Sequence, residues 1–303
     1  MFNKDKILNM KTIKLLFAVI FPAILIYSCE EVGPYINLTP TIVDTSLLDT
    51  TYIASSSETP QTKMILIEDF TGASCPNCPT AANTIKLLHD NNPDRILATA
   101  IHFDFPGVGK PVKNSKYDFR TTYGRSIFDM LTGQKDHLPI GAVNRTKHID
   151  NKGNNVVLQD HATWSTFVIE ELTKTSPVNI DITGAFSDSI YKLKVKLHYT
   201  QTIADTEALS VYLIEDSIID FQKLPDNSID SYYVHNHILR SVLSNINGDD
   251  LKAPLQLNRV FEKEYKIKLD PIWVRLNCKI IAFVHKKGNN NFDIIQAMQK
   301  ALY

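Results

Sequence analysis

The strongest constraint on the fold is a pair of strand-length apolar runs, "KMILIEDF" (63–70) and "RILATAIHF" (95–103), separated by a helix-length segment. Both runs have fewer polar interruptions than a strand with one wet face would show, so each is expected to be covered on both sides. Between them, "PTAANTIKLLHDNN" places Ala81, Ile85 and Leu88 on one face at helical spacing. Strand, helix and strand at this spacing predict a parallel pair joined by a right-handed crossover, hence an α/β layer. "SKYDFRTTYGRSIFDML" reads as a helical insertion, "LPIGAVNR" as a third strand and "LQDHATWSTFVIEELTKT" as an amphipathic closing helix. The α/β domain is expected over residues 63–176.

The pattern changes at Pro177. "VNIDITGAF", "YKLKVKLHYT", "EALSVYLIED", "YYVHNHILRSVL", "FEKEYKIKL", "CKIIAFVHK" and "DIIQAMQKALY" follow one another, several alternating polar and apolar. In "YKLKVKLHY", Leu193, Val195 and Leu197 fall on one face and Lys192, Lys194 and Lys196 on the other. Short runs at this density predict an antiparallel β-sandwich of immunoglobulin-like proportions over 177–303. The last run also fits a helical period.

The N-terminus reads as a targeting segment, residues 1–28. Lys4, Lys6, Lys11 and Lys14 precede "LLFAVIFPAILIY", an apolar run of 13 residues, short of the ~20 needed to span a bilayer as a helix. It ends in Ile26, Ser28 and Cys29. This resembles the lipobox of bacterial lipoproteins, which implies a diacylated Cys29 as the mature N-terminus and a membrane anchor without a span. Residues 29–62, rich in Thr, Ser and Pro, are expected to be the lipidated cysteine and a flexible tether, with "DTTYIA" as a candidate edge strand. Removing 1–28 takes away four lysines and Asp5, so the formal charge moves from −1 to −4. A mildly acidic chain without a basic cluster argues against nucleic acid as a partner.

Of the four cysteines, Cys75, Cys78 and Cys278 remain once Cys29 is set aside. Cys75-Pro76-Asn77-Cys78 sits where a strand hands over to a helix. Unpaired N–H groups of a first helical turn favour a thiolate on the N-terminal cysteine, the species that attacks a disulfide. Cys78 is then the resolving thiol, and Pro79 is tolerated in a first turn. Zinc would normally need a second ligand pair, and there is no other C-x-x-C in the chain. No metal and no cofactor are expected. Exchange chemistry and a structural disulfide both remain open.

"IEDFTGASCPNC" resembles the active-site segment of thioredoxin-fold proteins. The resemblance implies that Asp69, six positions before Cys75, accepts the proton of the resolving thiol, and that Pro139 before "IGAVNR" is a substrate-contacting cis-proline. The aromatic residue usual before the first cysteine is replaced by Ala73-Ser74. Lipobox, "EDFTGASCPNCPTAA", "LPIGAVNR" and "YVHNHILR" together resemble the Omp28-related family of outer-membrane lipoproteins. That resemblance implies an α/β thioredoxin-like domain followed by an all-β immunoglobulin-like sandwich, lipid-anchored at the outer membrane on its periplasmic or cell-surface face. It brings no established activity.

Other residues carry weaker signals. His235 and His237 are two apart and are expected on one strand face, as polar contacts rather than metal ligands. His102 ends the second strand of the α/β layer, with a structural role expected. Arg145 is expected to pair with Asp150 or with a substrate carboxylate, and Cys278 to be a buried free thiol. The leading reading is an envelope protein that exchanges disulfides with other envelope proteins through Cys75, Cys78, Asp69 and Pro139. The alternative is a non-enzymatic surface lipoprotein with a structural disulfide and a sandwich that binds protein or glycan.

Overall fold

The computed structural model describes residues 47–132, 137–150, 152–288 and 290–303, all within one compact unit. The targeting segment, Cys29 and the first part of the expected tether lie outside the described residues. In the first half, strands β1 (Asp49–Ile53), β2 (Ile65–Thr71), β3 (Ile96–His102) and β4 (Ile140–Val143) accompany helices α1 (Cys78–Asn91), α2 (Thr122–Thr132) and α3 (Trp164–Leu172). A small hairpin, β5 (His148–Ile149) and β6 (Asn155–Val156), precedes α3. The second half is strand throughout: β7 (Val178–Ser187), β8 (Ile190–Tyr199), β9 (Glu207–Glu215), β10 (Ile218–Lys223), β11 (Ile229–His235) and β12 (Ile238–Val242). It continues with β13 (Asp249–Asp250), β14 (Arg259–Lys268), β15 (Cys278–Lys286) and β16 (Ile294–Ala301).

β2 and β3 pair in parallel from Ile65↔Ile96 to Thr71↔His102, and β4 runs antiparallel along the other edge of β2. Every residue of β2 is buried, Glu68, Asp69 and Thr71 included, as expected of a strand covered on both faces. Ile65 and Ile67 face a layer formed by Ala81 and Ile85 of α1 and by Trp164 and Val168 of α3. Leu66 and Phe70 face the opposite way, into a second cluster with Ile127 and Phe128 of α2.

That second cluster also holds Tyr212, Ile281 and Phe283 from the far half of the chain. The reason is a single sheet in the order β16-β15-β9-β12-β3-β2-β4, with β13 alongside β9. β12 joins β3 in parallel at Ile238↔Ala100, and Ala100 N–H donates to the His237 carbonyl at 2.7 Å. The sheet curls until its ends meet: Ile294 N–H donates to the Asn144 carbonyl at 2.8 Å, and Met64 N–H to Gln296 Oε1 at 2.8 Å. Leu209, Val211, Ile280 and Ala282, on the outer face of β9 and β15, pack on Leu193, Val195 and Phe261 of an antiparallel sheet ordered β1-β14-β8-β7. Strands on both sides of Pro177 therefore share one sheet.

The last run is a strand, β16, and not the helix its period also allows, because the edge of β15 needs backbone partners from Lys279 to His285 that a helix would not supply. Other local expectations change. "YYVHNHILR" is two strands, broken at His237 with φ 60°. His235 and His237 therefore do not share a strand face. Residues 49–62 are built into the fold: β1 pairs with β14, and Gln61 N–H donates to Asn179 Oδ1 at 2.8 Å.

Arg145 pairs with Glu68, not with Asp150. Its Nε and Nη2 donate to the two carboxylate oxygens at 2.6 and 2.7 Å, and Nη2 also reaches the Tyr212 hydroxyl at 2.9 Å. Both charged side chains are 0 % exposed. Burial works against the guanidinium charge, but Glu68 and Tyr212 outweigh it and hold the group above its usual range. Breaking such a pair strands a buried charge. Arg145→Met alone is expected to lower the unfolding free energy by about 3–5 kcal/mol, and adding Glu68→Met to recover much of it. Chemical denaturation of the four chains of this cycle measures the coupling, and simple additivity would contradict it.

Candidate functional site

β2 ends at Thr71, and the chain turns through Gly72–Asn77 into α1. The turn is held by Cys75 N–H donating to the Gly72 carbonyl at 3.0 Å. Gly72 has no room for a side chain: a Cβ there would lie 2.3 Å from the Val108 carbonyl oxygen. The loop after β3 thus rests directly on the cysteine turn. Cys75 and Cys78 form a disulfide with Cα atoms 5.4 Å apart, at the N-terminus of α1. Asn77 makes no side-chain cap, Cys78 N–H and Thr80 N–H donate to the Cys75 and Asn77 carbonyls at 3.4 and 3.1 Å, and Pro79 has no N–H, so what the start of α1 offers a thiolate after reduction is its helix dipole.

Asp69 lies on β2 between Ala100 of β3 and Gly141 of β4. It is 2 % exposed, and its Oδ1 has no hydrogen-bond partner. Burial pushes its carboxyl up to about 8, so the acid form prevails at neutral pH. The Leu138–Pro139 peptide bond is cis. Phe70 pairs with Ile140, so the register sets Pro139 opposite Thr71, at the end of β2 from which the cysteine turn departs. Leu138 shares a buried cluster with both cysteines. One end of the sheet therefore carries Cys75, Cys78, Asp69 and Pro139.

Sequence reasoning missed what covers that end. The β10–β11 hairpin, from the second half of the chain, lies against the cysteine turn. Gln222 Nε2 donates to the Cys75 carbonyl at 3.1 Å, and Lys223 N–H to the Ala73 carbonyl at 2.9 Å. Tyr233 feels Asp69 directly: burial first, then the Asp69 and Asp230 carboxylates, push its phenol up to about 12. Cys75 is only 1 % and Cys78 only 2 % exposed, both within the cluster that holds Phe70 and Leu138. "SIIDFQKLPDNSIDSYYVH" does read as strand, turn and strand, but nothing local says which surface such a hairpin will cover.

The remaining candidates are structural. His102 is buried and lies edge-on to Phe119, with ring centroids 5.2 Å apart and His235 at 6.3 Å. Burial drives the His102 imidazole well below its usual range and His235 to about 4, so both are neutral. Arg240 lies 5.4 Å from the Phe119 ring centroid and donates to Glu215 at 2.8 Å. His237 turns away, its ring 3.0 Å from Asp216. Cys278 is free and buried; burial, then Glu215, push its thiol up to about 12, which makes it unreactive. Asp150 accepts from the backbone of Lys152 and Asn154 in the β5–β6 turn.

The sequence model of the outer membrane protein Omp28 family matches residues 133–303, more than half of the chain, beginning past Cys75 and Cys78. No curated protein matches the chain. HBP35 of Porphyromonas gingivalis is similar in structure, with a TM-score of 0.61 at 20 % identity, over 80 % of this chain and 76 % of that one. A domain of the outer membrane lipoprotein Omp28 from the same organism aligns with 41 % of this chain and 86 % of its own, at 21 % identity and a TM-score of 0.30.

Burial of Asp69 has a measurable consequence. Its carboxyl is raised in the folded chain, so the native state holds a proton that the unfolded state gives up, and stability falls as pH rises between about 4 and 8. Asp69→Asn removes this penalty. The variant is expected to gain stability over the parent across that window, reaching the order of a few kcal/mol and levelling off above pH ~8. Urea titrations at several pH values check this, and a pH-independent difference would refute it.

Proposed function

The chain belongs to the Omp28 family of outer-membrane proteins, and on that premise we propose that it is lipid-anchored through Cys29 and carries a thioredoxin-like site for thiol–disulfide exchange with envelope proteins. The thioredoxin-like reading is supported by the order β3-β2-β4, with β2 and β3 parallel around α1 and β4 antiparallel after the cis-proline. The two antiparallel layers of the second half support an immunoglobulin-like sandwich fused to it. The observation that carries the function is the disulfide at the head of α1, on the same sheet end as the buried, partly unpaired Asp69.

Starting from the oxidised site, a substrate thiolate attacks Cys75 Sγ and forms a mixed disulfide. Cys78 leaves as a thiolate and takes a proton from the Asp69 acid. A second substrate thiolate then attacks the substrate sulfur of the mixed disulfide and releases the Cys75 thiolate, which the first turn of α1 favours. The substrate ends with a disulfide, and two electrons rest on the cysteine pair. In the reverse, reductive direction Asp69 accepts the proton from Cys78.

A structural disulfide is the second reading, favoured by the burial of both sulfurs and by a family match that begins past them. The β-sandwich would then serve as the module that binds protein or glycan. The two readings differ in reduction potential. Equilibration with glutathione is expected to place Cys75–Cys78 above about −300 mV, and a value below it would assign a structural role. The anchor is tested separately. No helix among the described residues is long and apolar enough to cross a membrane, so Cys29→Ala is expected to move the protein from the membrane fraction to the soluble one.

A further inference from the structure

The site proposed for exchange is closed: neither sulfur is accessible to the substrate thiolate that must reach Cys75. An in-line attack on a disulfide needs an open approach to one sulfur, so whatever covers the site controls the reaction. The β10–β11 hairpin lies against the turn that carries the cysteines, and its attachments are of an unusual kind. Its inner face meets the cysteine turn through hydrogen bonds, from Gln222 Nε2 to the Cys75 and Gly72 carbonyls and from Lys223 N–H to the Ala73 carbonyl. Beside them, the Asp220 carboxylate accepts from the N–H groups of Lys116 and Tyr117 at 3.0 and 2.9 Å.

Apolar anchoring is confined to the neck, where the His235 ring lies 4.7 Å from that of Phe119 and Ile218 enters a buried cluster with Phe119 and Ile238. Opposite it, Ile219, Tyr232 and Val234 are exposed. β10 and β11 pair only with each other among the described strands, outside both larger sheets. Segments with few buried apolar contacts open at lower free energy than the core.

The base of the hairpin is built as a hinge. Ser217 and His237, which flank it, both have positive φ, 59° and 60°. Ser217 N–H donates to Asn236 Oδ1 at 3.0 Å and His237 N–H to Asp216 Oδ1 at 2.6 Å. Asp216 is itself held by Lys279 of β15 at 2.7 Å. The neck is thus pinned to the core while the two strands beyond it are held by breakable polar contacts.

We propose that β10–β11 is a lid over the Cys75–Cys78 disulfide, hinged at Ser217 and His237 and latched by the Gln222 side chain, and that a thiol reaches Cys75 only when the lid swings aside. The proposal takes its purpose from the exchange reading above, and it is tested separately from it. When open, the lid also withdraws Tyr233 from Asp69 and admits water to the carboxyl that must hand over a proton.

The test uses the full chain in its oxidised form, with dithiothreitol as the attacking thiol and alkylation to trap what has been reduced. Gln222→Ala is expected to be reduced at least tenfold faster than the parent, while the amides of β9 and β15 keep their parental protection from hydrogen exchange. In the unaltered protein, the amides of Ile218–Lys223 and Ile229–His235 are expected to exchange faster than those of β9 and β15. Equal reduction rates in parent and variant would overturn the lid, as would hairpin amides that exchange only as fast as β9. If Gln222→Ala does not fold, the exchange pattern of the unaltered protein decides alone. A potential typical of a structural disulfide, together with faster reduction of the variant, would leave the lid standing and remove exchange as its purpose.

Discussion

A guanidinium group with no access to water is the constraint on which the rest of this structure turns. Arg145 is clamped by both oxygens of Glu68, touches the Tyr212 hydroxyl and lies 5.0 Å from the Phe283 ring centroid. Taking these charges out of water costs several kcal/mol per ion unless the partners are placed well. The partners come from β2, from the turn after β4, and from β9 and β15 of the other half, so none of these can shift without stranding a charge. Asn144 and Arg145 both adopt positive φ there, 47° and 53°, a conformation that non-glycine residues hold only when surroundings compel it. Asn144 Oδ1 in turn accepts from Leu66 N–H at 2.9 Å, and its Nδ2 donates to Glu171 at 2.8 Å. The curled sheet is thereby locked at the point where its first and last strands meet.

Rigidity at that lock has a chemical counterpart one residue along. Glu68 points into the polar clamp and Asp69, its neighbour on β2, points the opposite way, because successive strand residues face opposite sides. One carboxylate is therefore paired and charged, whereas the other is buried without a cation and held as the acid. The same strand thus supplies one partner of an ion pair and one buried acid, and the difference between them is set by what each face of the sheet meets.

Much of the first half was legible. β2, α1 and β3 follow from apolar runs and a helical period that admit little else; Cys75 and Cys78 sit at the strand-to-helix junction this pattern locates, whereas Asp69 and Pro139 were singled out by the thioredoxin resemblance. "DIIQAMQKALY" fits a helix or a strand locally, and the unpaired edge of β15 decides for the strand. The misses share that dependence on distant partners. "YYVHNHILR" seemed one strand, yet positive φ at His237 splits it, so that β12 can pair with β3 while β11 folds back over the cysteines. The pairing of Arg145 with Glu68 spans 77 residues, and no local pattern encodes a contact at that distance.

Sequence alone determined the elements whose periodicity is unambiguous and the type of chemistry a cysteine pair at a helix start can support, and it carries the lipid anchor proposed at Cys29. Tertiary structure decided that the two halves share one sheet, that Asp69 is buried as an acid while Glu68 pairs with Arg145, and that a hairpin about 150 residues downstream lies against the cysteine turn. The physical reason is one of range. Backbone propensity and side-chain periodicity act over a few residues, whereas burial, the pairing of strand edges and the compensation of buried charge depend on which distant segments fill the remaining space.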